Sequence, residues 1–427
     1  MKIAYLTPGA AIGGAEMVLL DVLAALDRGP SGVRPLVLLG EDGPLRGEVE
    51  ALGVACEVLA LPAGVARLGD AGASGAARKL ALLARGLSAA SATLAYRGRL
   101  ARRLRDERPA LVQTNGMKMH LLGAWAAPRG VPVVWHLHDY LGTRAAMARL
   151  LKLSARPGVE GVAISRSVAA DARATLGGRF PVRTIYNAVD VGRFRPVEGE
   201  GEGEGAALDR AAGLAEAPPG TVRVGLVATF ATWKGHGLFL DAAGRIPAEI
   251  PARFYIVGGP IYRSAGSQVA PESLRAHAEG LGLGGRVGFT GHQADPARAI
   301  RGLDVVVHAS TRPEPFGRVI VEGMACGRAV VAMREGGAAE LFADGEEALG
   351  CPPRDPAALA EAIARLVADA GLRGRLGRAG RAAALARYDR SRLAGEWSAV
   401  YDRASAPAPA VADDPARHPA PASPVAR

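Results

Sequence analysis

The sequence predicts an α/β protein made of two doubly wound, Rossmann-like domains, and three observations carry that prediction. Short apolar β-like runs alternate with helix-length segments, the order that folds into a parallel sheet covered by helices. The alternation runs through the chain twice, with a stretch from Val197 to Gly220 rich in Gly, Glu, Ala and Pro between the two series, a composition that favours a mobile linker or insertion over a packed element. A length of 427 residues, 49% of them apolar, suffices for two or three cores.

In the first series Lys2–Thr7 reads as the opening strand, followed by a Gly-rich loop and a helical run from Ala15 to Leu26. Further strands are expected at Arg34–Leu39, Ala110–Thr114, Val131–His136 and Gly161–Ile164, each a short run flanked by helix-length sequence. The second series places strands at Val222–Ala228, Arg253–Val257, Val287–Phe289, Asp304–His308 and Ala329–Ala332. The expected organisation is therefore a first domain over 1–190, a flexible linker or insertion over 191–220 and a second domain over 221–385. A C-terminal helix over 386–404 packs back toward the first domain, and 405–427, almost entirely Ala, Pro, Asp and Arg, reads as a disordered tail.

Composition excludes several function classes. The formal net charge is +10, yet the lysines are only Lys2, Lys79, Lys118, Lys152 and Lys234, so the basicity is arginine. Such a balance favours anionic partners: membrane surfaces, nucleic acid or phosphorylated substrates. Aromatic residues are 5% of the chain and are not interleaved with the arginines, so a base-stacking nucleic-acid surface is not expected. Cys56, Cys326 and Cys351 are odd in number and form no C-x-x-C, which argues against a disulfide framework or a zinc site and fits a reducing cytoplasm. The apolar run before Pro8 is too short for a signal peptide, and no segment reaches the roughly 18 apolar residues of a membrane span.

The most informative stretch is Arg312-Pro313-Glu314-Pro315-Phe316-Gly317-Arg318-Val319, continuing to Glu322 and Gly327, which sets two carboxylates eight residues apart across a turn that opens a helix. Leu303 to His308 reads as a buried strand, so Pro313 to Gly317 form the loop at its C-terminal edge, where open α/β sheets bind ligands. The helix beginning near Arg318 turns its first N–H groups and positive dipole end to that loop, which suits a phosphate. Glu314 then faces a neutral, hydroxyl-rich part of a ligand and Glu322 a ribose, as in a sugar-nucleotide site. In the first half, Gly13 and Gly14 permit close backbone approach to a ligand, but the G-x-G-x-x-G fingerprint of NAD binding is absent. His136 and His138 alternate at a strand end and point to one side, without further ligands to make a metal site. Asn115 and Lys118, where a strand gives way to a helix, suit an acceptor or a phosphate, or a capped helix with a solvated lysine.

The Glu314 to Glu322 run resembles the E-P-F-G-x-x-x-x-E signature of the retaining glycosyltransferases of family 4, which have the GT-B fold of two Rossmann-like domains facing across a cleft; Gly323 stands where that family usually has Ala. The resemblance implies a metal-independent enzyme that needs no cofactor beyond its donor, a UDP- or GDP-sugar, and moves the sugar to a carbohydrate or lipid-linked acceptor in envelope or exopolysaccharide synthesis. It implies that Glu314 and the backbone of Phe316, Gly317, Arg318 and Val319 hold the donor sugar and phosphate, and Glu322 the ribose. Gly13 and Gly14 lie near the donor phosphate, and Gly291 and His292 near the base. His138, rather than His136, takes the place of the family's cleft histidine. Gly225 to His236 is similar to the segment in which an Arg and a Lys neutralise the diphosphate: Lys234 matches the lysine, while Thr229 replaces the arginine and offers one hydroxyl instead of a charged fork. Arg318 is a candidate for the missing charge, or a surface cap. A catalytically weak sugar-nucleotide-binding protein and a sugar-nucleotide epimerase stay open as alternatives. Finally, the basic, Leu- and Ala-rich stretches from Arg78 to Arg108 and from Arg144 to Arg156 suit either solvent or the inner face of an anionic membrane.

Overall fold

The protein's structure, a computed structural model, describes residues 1–28, 32–62, 78–196, 202–260 and 267–406. The first unit runs β1 (Lys2–Thr7), α1 (Gly14–Arg28), β2 (Arg34–Leu39), α2 (Pro44–Ala51), β3 (Ala55–Val58), α3 (Arg78–Glu107), β4 (Leu111–Asn115), α4 (Met117–Ala126), β5 (Val133–Leu137), α5 (Ala145–Ser154), β6 (Val159–Ala163), α6 (Arg166–Leu176) and β7 (Val182–Thr184). The second contains α7 (Glu202–Ala211), β8 (Val222–Val227), α8 (His236–Gly244), β9 (Ala252–Val257), α9 (Pro271–Gly280), β10 (Val287–Gly291), α10 (Pro296–Arg301), β11 (Val305–His308), α11 (Arg318–Ala325), β12 (Ala329–Met333), β13 (Leu349–Cys351), α12 (Pro356–Ala368) and α13 (Ala370–Tyr388). The last helix, α14 (Leu393–Ser405), returns to the first unit.

Each unit is one parallel sheet. Strand order is β3-β2-β1-β4-β5-β6-β7 in the first and β10-β9-β8-β11-β12-β13 in the second. Central strands such as β4, β5, β11 and β12 are buried along their whole length, as strands covered by helices on both faces must be, and this is why they read as unbroken apolar runs. Each sheet builds outward from one strand and then reverses, between β1 and β4 in the first unit and between β8 and β11 in the second. The crevice outside such a reversal is where this architecture binds ligands. The loops that follow β1, β4, β8 and β11 therefore frame the site.

Two differences from expectation have physical causes. The edge strands β3, β7 and β13, absent from the expected elements, are only three or four residues long, too short for a periodic signal. The stretch 191–220, expected to be a flexible linker or insertion, instead contains the packed helix α7. Leu208 and Ala212 of this stretch enter the core, and the fully buried Asp209 carboxylate accepts from the Tyr255 hydroxyl, from Arg223 at 2.7 Å and from the Ala217 amide at 2.9 Å. The Gly and Glu content hides this because Asp209 finds its partners on β8 and β9. Residues 197–201 and 407–427, which cover part of the expected linker and nearly all of the expected tail, lie outside the described residues.

α14 closes the first unit. Trp397 and Tyr401 are buried with Ile3, Tyr5, Leu19 and Leu23, and the Tyr5 and Tyr401 hydroxyls meet at 3.0 Å.

Removing the Asp209 carboxylate leaves Arg223 and the Tyr255 hydroxyl without their common acceptor. Asp209→Ala is expected to cost roughly 3 kcal/mol of stability, read as a lowered urea midpoint, with Asp209→Asn losing less. Equal midpoints for wild type and Asp209→Ala would show that α7 does not depend on this pairing.

Candidate active site

The site forms where the loops after β8 and β11 touch. Gly235 follows Lys234 with φ +74°, and a Cβ there would stand 1.8 Å from the Ala309 carbonyl oxygen. Only glycine allows the lysine-bearing turn to lie this close to the end of β11. Lys234 Nζ consequently reaches both oxygens of Glu314, at 3.0 and 2.9 Å. Ser310 Oγ donates to Glu314 Oε2 at 2.5 Å, and His308 Nε2 lies 3.4 Å from the same oxygen. Burial alone would raise the Glu314 carboxyl, but the Lys234 ammonium and the His308 hydrogen bond outweigh it and hold the group well below the usual carboxylate range. The backbone of Glu314 is fixed as well, since its carbonyl accepts from the Gly337 amide at 2.7 Å.

Gly317 caps α11 in the left-handed conformation, φ 94° and ψ 59°, so the helix starts abruptly at the loop and aims its first amides there. The amides of Phe316, Gly317, Arg318 and Val319 belong to this loop and helix start. The Phe316 ring points away, buried between Tyr186 and Tyr388 with centroids 6.4 and 6.2 Å distant, so the backbone is the part of this residue available to a ligand. Glu322 lies on α11 and accepts from Arg318 Nε at 3.3 Å; burial raises its carboxyl although Arg318 opposes the shift. Arg318 also donates from Nη1 to Asp21 of α1 at 2.7 Å and to the Ala188 carbonyl at 3.2 Å. Its guanidinium thus ties the two units together.

On the facing wall, Gly13 donates to Glu16 Oε2 at 3.1 Å, and a Cβ at Gly14 would meet nothing within 4 Å. Neither glycine has a positive φ, so close approach, not backbone conformation, is what these residues permit. His138 Nε2 meets the Asn115 side-chain Oδ1 at 3.1 Å. An amide oxygen only accepts, so the proton is on Nε2 and Nδ1 is an acceptor. Asn115 Nδ2, His138 Nδ1 and Thr229 Oγ1 are buried without a hydrogen-bond partner among the described residues, and polar atoms in that state suit a hydroxyl-rich ligand. Burial pushes His138 down to about 3, and His136 well below its ordinary value. The His136 ring lies 4.0 Å from that of His138, tilted by 45°, and touches Gln113, which accepts from the Tyr401 hydroxyl at 2.7 Å. His136 lies within β5, and His138 follows its last residue, Leu137. Gly291 ends β10 and His292 follows it, beside Gly259 of the loop after β9.

Several residues that shape the site gave no local signal. Tyr140 donates across the cleft to the Glu314 carbonyl at 3.3 Å, and Glu340 of the second unit accepts from the Ser167 and Arg166 amides that open α6 at 2.7 and 3.0 Å. His308 was discernible only as a polar residue ending a buried strand six positions before Glu314.

Comparison with known proteins agrees with this geometry. The profile described as "Glycosyltransferase Family 4" matches residues 12–193, and that described as "Glycosyl transferases group 1" matches 216–383. The lipopolysaccharide core biosynthesis glycosyltransferase LpsE of Rhizobium meliloti is 30% identical over 218 residues, 51% of this chain and 57% of that protein. A D-inositol 3-phosphate glycosyltransferase of Acidothermus cellulolyticus is 35% identical over 203 residues, 46% of this chain and 42% of the relative. The chain thus spans about half the length of the curated relatives it matches. Among solved structures, Anabaena Alr3699/HepE in complex with UDP superposes with a TM-score of 0.76 at 25% identity, covering 94% of this chain and all of that one. WaaG, a glycosyltransferase involved in lipopolysaccharide biosynthesis, shares the fold, with a TM-score of 0.66 at 14% identity over 94% of this chain and 99% of its own.

The buried histidines make stability depend on acidity. Against an ordinary value of 6.5, burial chiefly holds His120 and His138 down to about 3 and holds His136 well below that ordinary value. The unfolded chain takes up these protons first, so their contribution is complete above about pH 6.5 and is lost as pH falls toward 3. The depressed Glu314 carboxyl acts in the same direction below about 4.5. Urea midpoints should fall steadily between pH 6.5 and 4.5, and less steeply in His120→Asn; a flat profile would contradict neutral burial.

Proposed function

Because the chain belongs to the family 4 glycosyltransferases with the GT-B fold, we propose that it is a retaining, metal-independent transferase. It moves a sugar from a nucleoside-diphosphate donor, a UDP- or GDP-sugar, to a carbohydrate or lipid-linked acceptor in envelope or exopolysaccharide synthesis, in the cytoplasm at the inner face of a membrane. The observation that carries this reading is the Lys234–Glu314 pair at the β8/β11 reversal, with Glu322 on the helix that starts there. The UDP and UDP-glucose complexes of the Anabaena protein support a nucleotide-sugar donor.

In this reading Lys234 exchanges part of its contact with Glu314 for the donor diphosphate, and the start of α11 adds the amides of Phe316 to Val319. Released from the ammonium, Glu314 accepts from sugar hydroxyls while Glu322 accepts from the ribose. Gly13 and Gly14 admit the diphosphate from the opposite wall, Thr229 adds one hydroxyl, and Gly291 with His292 borders the base. The bond from the anomeric carbon to the diphosphate oxygen breaks, and a bond to the acceptor oxygen forms on the same face of the sugar. The acceptor proton passes to the departing phosphate. His138 then has no need to act as a base, which suits an imidazole whose basicity burial suppresses; its Nδ1 accepts from a hydroxyl of the sugar or acceptor. Balance of the diphosphate charge by Lys234 and the helix start supports independence from metal. The uncharged Thr229, together with a lysine already engaged by Glu314, favours one second reading, a nucleotide-sugar-binding protein of low turnover. Tight binding of the nucleotide without transfer or hydrolysis across a set of UDP-, GDP- and ADP-sugars would identify it.

Lys234→Ala removes the charge that balances the leaving group, a loss on the order of 2–4 kcal/mol in the transition state. Transfer should slow tens- to several-hundred-fold, and wild-type rates would refute the role. Glu314→Gln should pull the two functions apart, with tighter binding of the free nucleoside diphosphate, because Lys234 loses its competitor, and slower sugar transfer.

Activity should persist in EDTA. Loss of transfer on chelation, restored by Mg²⁺ or Mn²⁺, would overturn the metal-independent mechanism.

A further inference from the structure

Six large apolar side chains stand exposed among the described residues, and four of them, Leu94, Trp125, Leu150 and Leu153, lie on the neighbouring helices α3, α4 and α5 of the first unit. They are not scattered. Arg97, one turn after Leu94 on α3, donates to the Trp125 carbonyl at 3.1 Å. The Trp125 indole donates to Ser154 Oγ at 2.9 Å, and Ser154 donates in turn to the Leu150 carbonyl at 2.8 Å. These bonds join three helices into one surface. On α5 the inward face is Ala148, Leu151 and Ser154, while Leu150 and Leu153, one turn apart, face solvent at 40% and 84% exposure. A helix that only met water would place polar residues there. Trp125, 39% exposed with its N–H satisfied, has the amphipathic character of residues found at a lipid headgroup boundary.

The charge that α4 and α5 carry around these side chains has one sign. Arg97, Arg129, Arg149, Lys152 and Arg156 are exposed beside them, and neither α4 nor α5 carries an Asp or Glu. On α3 the acidic residues are Asp106 and Glu107 at the far end, and Glu107 is paired with Lys2 and Arg103. The geometry points to this face as a docking surface for an anionic lipid bilayer, with Leu94, Trp125, Leu150 and Leu153 entering the headgroup boundary and the arginines meeting lipid phosphates. A second copy fits poorly, because a two-fold contact would set one basic rim against the other. α4 begins at Met117, two residues after the cleft residue Asn115, and ends beside Trp125, a length of about 15 Å. Docking by this face therefore holds the acceptor side of the cleft close to the membrane. The inference rests on the transferase reading only for what the membrane supplies, a lipid-linked acceptor; docking itself is measured without turnover.

The test is co-sedimentation of the full chain with vesicles of phosphatidylcholine alone and of phosphatidylcholine with phosphatidylglycerol, at low and high salt. Binding is expected only to the anionic vesicles, weakening with salt. The double variants Leu150→Glu/Leu153→Glu and Arg149→Glu/Lys152→Glu should each lose at least tenfold in vesicle affinity. Leu385→Glu, on an exposed leucine of the second unit, should bind like wild type. Nucleotide affinity in solution, unchanged in all of them, shows that the variants are folded. Absence of binding to anionic vesicles, equal binding to both compositions, or retention of binding by the leucine variant would overturn the proposal. So would a dimer, seen by light scattering, that Leu150→Glu/Leu153→Glu dissolves. Nucleotide binding without vesicle binding would refute the docking surface alone, and vesicle binding by a chain that transfers no sugar would refute the transferase reading alone.

Discussion

A carboxylate withdrawn from water stays ionised only if a positive charge stands against it, and Glu314 meets that condition through Lys234. Much of the second unit's loop architecture serves this contact. Gly235 must lie against Ala309 for the lysine to arrive, the β8 and β11 ends must be neighbours, and the Glu314 backbone must be held by the turn at Gly336 and Gly337. The same pairing defines the chemistry, because a diphosphate is the kind of ligand that competes with a carboxylate for an ammonium.

The two units meet through apolar packing, in which Phe316 of the second lies against Tyr186 of the first, and through polar contacts at the cleft. Asp21 receives Arg318 at 2.7 Å and lies 3.6 Å from Arg390, which also reaches Asp190 at 2.7 Å. Glu340 sits at the N-terminus of α6, where the helix dipole favours a negative charge. Charged contacts of this kind fix orientation and can exchange partners when a ligand enters.

Much of this was legible because its signals are local. A strand buried on both faces is an apolar run wherever it lies, so β1, β2, β4, β5, β8, β9, β11 and β12 could be read directly, and the Glu314 to Glu322 spacing carried the turn and helix of the site. The rest depends on partners far along the chain. Asp21 looks like any acidic residue of a helix until Arg318, 297 positions later, is beside it, and Glu340 is explained only by amides 173 and 174 positions earlier. α7 is a helix because of what Asp209 meets on another element, not because of its own composition. The Arg318 guanidinium, plausible from sequence as a phosphate ligand, turns to Asp21 for the same reason.

The placement of α14 has a consequence for synthesis. Strands β1 to β7 leave the ribosome first, yet the pocket that Trp397 and Tyr401 fill beside Tyr5, Gln113 and His136 stays open until residues 393–405 follow. The amino-terminal sheet therefore waits, partly uncovered, through translation of the whole second unit, and its final packing coincides with completion of both halves of the cleft. A nascent chain that stops within the second unit lacks the Trp397 and Tyr401 packing that covers Tyr5, Gln113 and His136 in the complete fold.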